Sequence, residues 1–101
     1  MATEVKVCAS ADLPEGGSRQ CDVGGRKVAL FRAGGVPFAL DGVCPHRGGP
    51  LGEGKVDGGV VTCPFHGWRF EVRTGSCLNV PGKVQASFPV REEGGSVLVE
   101  V

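Results

Sequence analysis

Long apolar runs are missing from this chain: segments such as Val28-Ala29-Leu30-Phe31 are as continuous as its hydrophobic stretches become. Crossing a bilayer as a helix takes about 20 predominantly apolar residues, so no membrane span is expected. Net charge is missing too. Eleven basic residues balance eleven acidic ones, which argues against a nucleic-acid partner, because phosphate backbones demand a basic face. The opening residues, Met1-Ala2-Thr3-Glu4-Val5-Lys6, lack the basic and then apolar regions of an export signal, and the cytoplasm is the expected compartment. No window carries a sustained helical period between caps. Histidine is scarce, at two residues, and there is no plausible pairing of a nucleophile with a base.

What is abundant is glycine, at 18 residues, with 7 prolines. Gly-Gly pairs at 16–17, 24–25, 34–35, 58–59 and 94–95 punctuate short runs rich in Val, Phe and Leu. Glycine supplies the positive φ that tight hairpins need. The expected strands are 5–9, 19–22, 26–32, 36–41, 60–62, 69–72, 84–90 and 96–101. In the last of these the odd positions are all valine, the period-two pattern of a half-buried strand. The expected class is all-β: an antiparallel β-sandwich or partly open barrel. With 101 residues the chain suits one domain, 1–101, and not two.

The segment from about Val43 to Asn79 stands apart as an excursion from the β core. It holds both histidines, the only tryptophan and three of the five cysteines. Five cysteines are an odd number, and in a chain expected in the cytoplasm they point to metal binding rather than to a disulfide framework. Two motifs carry this: Cys44-Pro45-His46 and, after a gap of sixteen residues, Cys63-Pro64-Phe65-His66-Gly67-Trp68. Each loop offers one thiolate and one imidazole. Prolines 45 and 64 restrict the loops, and Gly48, Gly49 and Gly67 permit close backbone approach. Such loops suit inorganic sulfide, which accepts hydrogen bonds from N–H groups. Two cysteines and two histidines also make a tetrahedral zinc site, as in a zinc-stabilised interaction module. Against zinc, Cys-x-His is a tight pair for one tetrahedral ion, and no zinc-finger helix follows. Cys8, Cys21 and Cys77 have no neighbouring ligand and read as small, largely buried thiols. Trp68 and Phe70 alternate with Arg69, so both rings are expected to point inward. Arg47 reads as a solvated loop charge.

The double motif, with its flanks Arg47-Gly48-Gly49-Pro50-Leu51-Gly52-Glu53-Gly54 and Arg69-Phe70-Glu71, resembles the Rieske iron–sulfur family. The resemblance extends to Val28–Arg32 as a core strand, to Thr74-Gly75 as a turn, and to Val80-Pro81-Gly82 as the proline loop over the cluster. It implies the Rieske fold, with a small cluster-binding subdomain at about 43–79. It implies one [2Fe–2S] cluster, with Cys44 and Cys63 on one iron, His46 and His66 on the outer iron, and two bridging sulfides. Imidazoles in place of two thiolates leave the oxidised cluster formally neutral, which raises the potential relative to four-thiolate clusters. The implied function is one-electron transfer from a flavin-containing reductase to a terminal oxygenase of the ring-hydroxylating kind. A small electron-transfer subunit of another system, such as nitrite reductase, is the alternative. Rieske oxygenases add a catalytic iron on a 2-His-1-carboxylate triad. With both histidines assigned to the cluster, none remains for it, and a carrier rather than an enzyme is expected. High-potential members of the family carry a disulfide between the two loops, and serine and tyrosine hydroxyls near the cluster. The matching positions here are Gly49 and Phe65, and Trp68 and Phe70, so a low-potential cluster is implied.

Overall fold

A computed structural model describes residues 4–43, 49–65 and 67–100. Within them lie ten strands: β1 Glu4–Ala9, β2 Ser18–Val23, β3 Arg26–Ala33, β4 Val36–Asp41, β5 Lys55–Asp57, β6 Val60–Thr62, β7 Arg69–Glu71, β8 Ser87–Phe88, β9 Val90–Glu93 and β10 Ser96–Glu100. Two 3-10 turns, Ser10–Asp12 and Leu51–Glu53, are the only helical elements among the described residues. The expected all-β class holds. The strands form three antiparallel sheets, ordered β1-β10-β9, β2-β3-β4-β8 and β5-β6-β7.

The run Val28-Ala29-Leu30-Phe31 shows why the sheets stack as they do. Successive residues of a strand point to opposite faces, and all four of these are fully buried. Ala29, Phe31 and Ala33 enter a core shared with Leu51, Val61, Phe70 and Val72. Val28 and Leu30 enter a second core, with Cys8, Leu13, Val97 and Val99. The sheet containing β3 is therefore the middle layer, apolar on both faces, with the β1-β10-β9 sheet on one side and the β5-β6-β7 sheet on the other. Burying each large apolar side chain contributes about 1.5–3 kcal/mol. In β10, Val97 and Val99 are buried while Ser96, Leu98 and Glu100 are half-buried, the alternation read from sequence.

Four of the five Gly-Gly pairs close hairpins with both glycines at positive φ, as at Gly24 (58°) and Gly25 (83°), the requirement of the two-residue I′ turn. The fifth differs. The N–H of Gly17 bonds to the carbonyl of Pro14 (2.8 Å), making a turn ahead of β2 rather than a hairpin. Two strand expectations also need correction. β5 has a single apolar residue, Val56, too little alternation to register in sequence. The expected strand 84–90 is broken at Pro89, which has no N–H for a ladder. β8 pairs with β4 and β9 crosses to pair with β10.

The outer sheet is tied to the middle one by Arg32 of β3. Its guanidinium donates bidentately to Glu92 of β9 (3.0 and 2.7 Å) and to the carbonyls of Leu13 (2.5 Å) and Gly35 (3.0 Å). This partner holds the Glu92 carboxyl at about 2, down from its ordinary 4.5. A carboxyl depressed in the folded state contributes stability that is complete above the unfolded value and is lost as pH falls through the folded one. Thermal melts should therefore show wild-type stability falling between about pH 4.5 and 2. Glu92→Gln should be less stable at pH 7 and should decline less steeply across that window. Parallel melting curves for the two proteins would contradict this.

Candidate metal centre

The first motif loop leaves the end of β4 and returns into the 3-10 turn Leu51–Glu53. Its base is pinched shut: Leu51 N–H bonds to Gly42 O (3.0 Å), and Val43 bridges Pro50. Two side-chain amides fasten this base, one from β2 and one from the segment leading into β8. Gln20 of β2 donates to Gly42 O (2.9 Å) and accepts from Gly52 N–H (2.7 Å). Gly52 must be glycine here, because a Cβ would lie 2.6 Å from the Gln20 Cα. Gln85, the one buried polar side chain among the described residues, donates from Nε2 to Asp41 O (2.7 Å) and Val43 O (2.6 Å). Cys44 thus follows directly from a backbone held on both sides. Leaving a buried carbonyl without its donor costs about 1–3 kcal/mol, and the Asp41 and Val43 carbonyls, only part-buried, fall toward the low end. Gln85→Ala should lower unfolding stability by an amount in that range, as measured by denaturant titration. Wild-type stability would show that the clamp contributes nothing.

The second loop links β6 to β7. Its ends meet where Cys63 N–H bonds to Trp68 O (2.7 Å), and Gly67 turns it with φ +71°. Cys63 is 1% exposed and belongs to the core with Phe31, Val61 and Phe70. Phe70 is fully buried and Trp68 half-buried against the same core, with ring centroids 6.4 Å apart. Both therefore face inward, as the alternation implied. A third loop lies alongside, closed by Cys77 N–H on Lys83 O (2.9 Å), with Pro81 exposed in it. From this loop Asn79 reaches the second loop: Nδ2 donates to Gly67 O (3.1 Å) and Oδ1 accepts from Arg69 N–H (3.0 Å).

The two motif loops meet at Gly49. A Cβ there would lie 3.1 Å from the Cys63 Sγ and 2.9 Å from Phe65 Cγ. Only a glycine brings the first loop's backbone this close to the second loop's sulfur. The contact also joins Gly49 and Phe65, the pair of positions matched to the inter-loop disulfide of high-potential family members. This cradle around a buried cysteine sulfur fits a sulfur-bridged cluster held between two loops. Cys44, His46, Arg47 and His66 lie outside the described residues. Among the described residues no three His, Cys, Asp or Glu side chains converge on one point.

The other cysteines match their expectation in part. Cys8 is buried, while Cys21 and Cys77 are only half-buried. Burial raises the Cys8 and Cys21 thiols above their ordinary value, which keeps them protonated at neutral pH. Cys77 donates its thiol hydrogen to Asn79 Oδ1 (3.4 Å). Sequence reasoning missed Gln20, Gln85 and Asn79. A side-chain amide that bridges backbone groups of distant loops has no period and no fixed spacing, so a single sequence carries no signal for it.

Residues 3–91 match the family described as the Rieske [2Fe–2S] domain. The chain belongs to the Rieske family. Its cofactor is accordingly a [2Fe–2S] cluster, and the zinc alternative gives way. The ferredoxin component of an alkene monooxygenase system from Xanthobacter autotrophicus (strain ATCC BAA-1158 / Py2) is 41% identical over 96 residues, covering 94% of this chain and 79% of that one. Among solved structures, a ferredoxin in complex with the reduced oxygenase of carbazole 1,9a-dioxygenase superposes with TM-score 0.85 and 38% identity, covering 95% of this chain and 91% of that one. A chain described as the small subunit of an NADH-dependent nitrite reductase from Mycobacterium tuberculosis gives TM-score 0.90 and 28% identity, covering 100% and 96%. No helix among the described residues is long and apolar enough to cross a membrane.

Proposed function

We propose that this Rieske protein is a one-electron carrier that takes electrons from a flavin-containing reductase and delivers them to a terminal oxygenase in the cytoplasm. Cys44 and Cys63 hold the inner iron, and His46 and His66 the outer one. The whole chain, 1–101, acts as one domain, with its cluster-binding subdomain at about 43–79. The observation that carries the reading is the likeness to a ferredoxin solved bound to its oxygenase, at 38% identity over nearly the full length of both chains. A [2Fe–2S] cluster in this site supplies one-electron chemistry without proton or atom transfer to a substrate.

The chain's own residues arrange access and shielding. Phe31, Val61 and Phe70 wall off the inner side of Cys63. Phe65, 48% exposed, and Pro81, also exposed, are open to a docked protein. Gln20, Gln85 and Asn79 hold the loop bases still, which limits rearrangement when charge changes.

The nitrite-reductase reading has a specific observation in its favour, the TM-score of 0.90. The ferredoxin reading has higher identity. Rapid mixing separates them. Chemically reduced protein should be reoxidised within the turnover time of a Rieske oxygenase when mixed with that enzyme. Reoxidation no faster than in buffer would reject an oxygenase as the acceptor.

A further inference from the structure

Asn79 belongs to neither motif, yet it grips the segment that follows His66. Its Nδ2 donates to Gly67 O and its Oδ1 accepts from Arg69 N–H. Between these two points, Trp68 O accepts from Cys63 N–H. Two consecutive peptide units, 67–68 and 68–69, are thus fixed at three atoms. Each unit is planar and trans, so fixing the Gly67 carbonyl toward Asn79 sets the Trp68 N–H on the opposite side. Without this grip Gly67 would be a pliant point in the loop, because it sits at φ +71° with no side chain. The amide of Asn79 is itself oriented. Its oxygen receives a second donor from the Cys77 thiol, and Leu78 N–H on Arg69 O (2.8 Å) zips the two backbones beside it.

We propose that Asn79 is a positioning residue for the cluster: through Gly67 it sets how the second loop presents His66 to the outer iron. The inference rests on the ligand assignment above. Groups that orient a metal ligand from behind typically change metal affinity by about 10–100-fold when removed. An amide is suited to the task, since it donates to one backbone group and accepts from another with a single rigid plane.

The test compares loaded proteins for the rate of cluster loss to an iron chelator and for the EPR line shape after reduction. Asn79→Ala should lose its cluster about tenfold faster than wild type and show broadened lines, because the outer iron's ligand samples more than one pose. Asn79→Asp keeps both acceptor contacts but cannot donate to Gly67 O, and it should behave like Asn79→Ala. It decides alone if the alanine variant fails to fold. Cys77→Ser retains a donor to Asn79 and should match wild type. Val97→Ala serves as a control, since Val97 is fully buried in the core on the opposite face of the middle sheet. It should lower the melting temperature and leave the line shape alone. Wild-type rates and lines in both Asn79 variants would overturn the proposal, as would changes matching those of Val97→Ala. A wild-type protein with no Rieske signal at all would instead overturn the ligand assignment.

Discussion

A Cys63→Ala protein should purify without visible colour and with almost none of the wild-type iron, because [2Fe–2S] irons are held by cysteine thiolates. Cys63 supplies the buried sulfur on which the two motif loops converge, with the Gly49 backbone packed against it. Alanine there leaves an apolar pocket in a core that already holds Phe31, Val61 and Phe70, so nothing replaces the lost thiolate. The same loss is expected for Cys44→Ala, His46→Ala and His66→Ala. His66→Cys should retain some cluster and lower its potential, because a thiolate adds negative charge where a neutral imidazole stood. Cys8→Ser, Cys21→Ser and Cys77→Ser should keep the wild-type spectrum. The first two thiols are held protonated by burial, and the third is occupied with Asn79. Absorption spectra and iron analysis of this set are the check. A wild-type spectrum in Cys63→Ala would sink the assignment.

The midpoint potential should lie near the low end of the Rieske range, around −150 mV. Reduction adds negative charge to the cluster, so hydrogen bonds to its sulfurs stabilise the reduced form and raise the potential. High-potential family members place hydroxyls at the positions of Trp68 and Phe70, and here neither side chain has one. Phe70 is fully buried, its ring part of the core beneath the loops. The inter-loop disulfide of those members is replaced by the contact between Gly49 and Phe65. A charge-assisted hydrogen bond contributes about 1.5–3 kcal/mol, of which only the difference between oxidation states counts. One-electron couples shift by about 59 mV for each tenfold change in equilibrium. The double change Trp68→Ser and Phe70→Tyr should therefore raise the potential by about 100 mV, as read by voltammetry at neutral pH. A wild-type midpoint well above zero would refute the low-potential reading, and the oxygenase assignment with it.

The family was legible in the Cys-x-His and Cys-x-x-His motifs because cluster chemistry constrains residue type and spacing over a few positions; of the four candidate ligands only Cys63 lies among the described residues. The hairpins were legible because Gly-Gly pairs have few other uses between apolar runs. The layering was only half legible. Val28-Ala29-Leu30-Phe31 announces burial, but a single sequence does not say that one strand serves two cores. Pro89 was visible, yet its role in passing the chain from β8 to β9 depends on which sheet lies next to it. Gln20, Gln85 and Asn79 were illegible, because their bonds run to backbone atoms 10 to 44 residues away in sequence. The backbone they fix carries the site as much as the motif does.

The most direct test of the central claim is EPR of the purified protein after reduction, joined to iron and sulfide analysis. A Rieske carrier should be brown and EPR-silent when oxidised, and should give one rhombic signal when reduced, with about two irons and two sulfides per chain. A colourless protein holding one zinc ion, silent in both states, would contradict it.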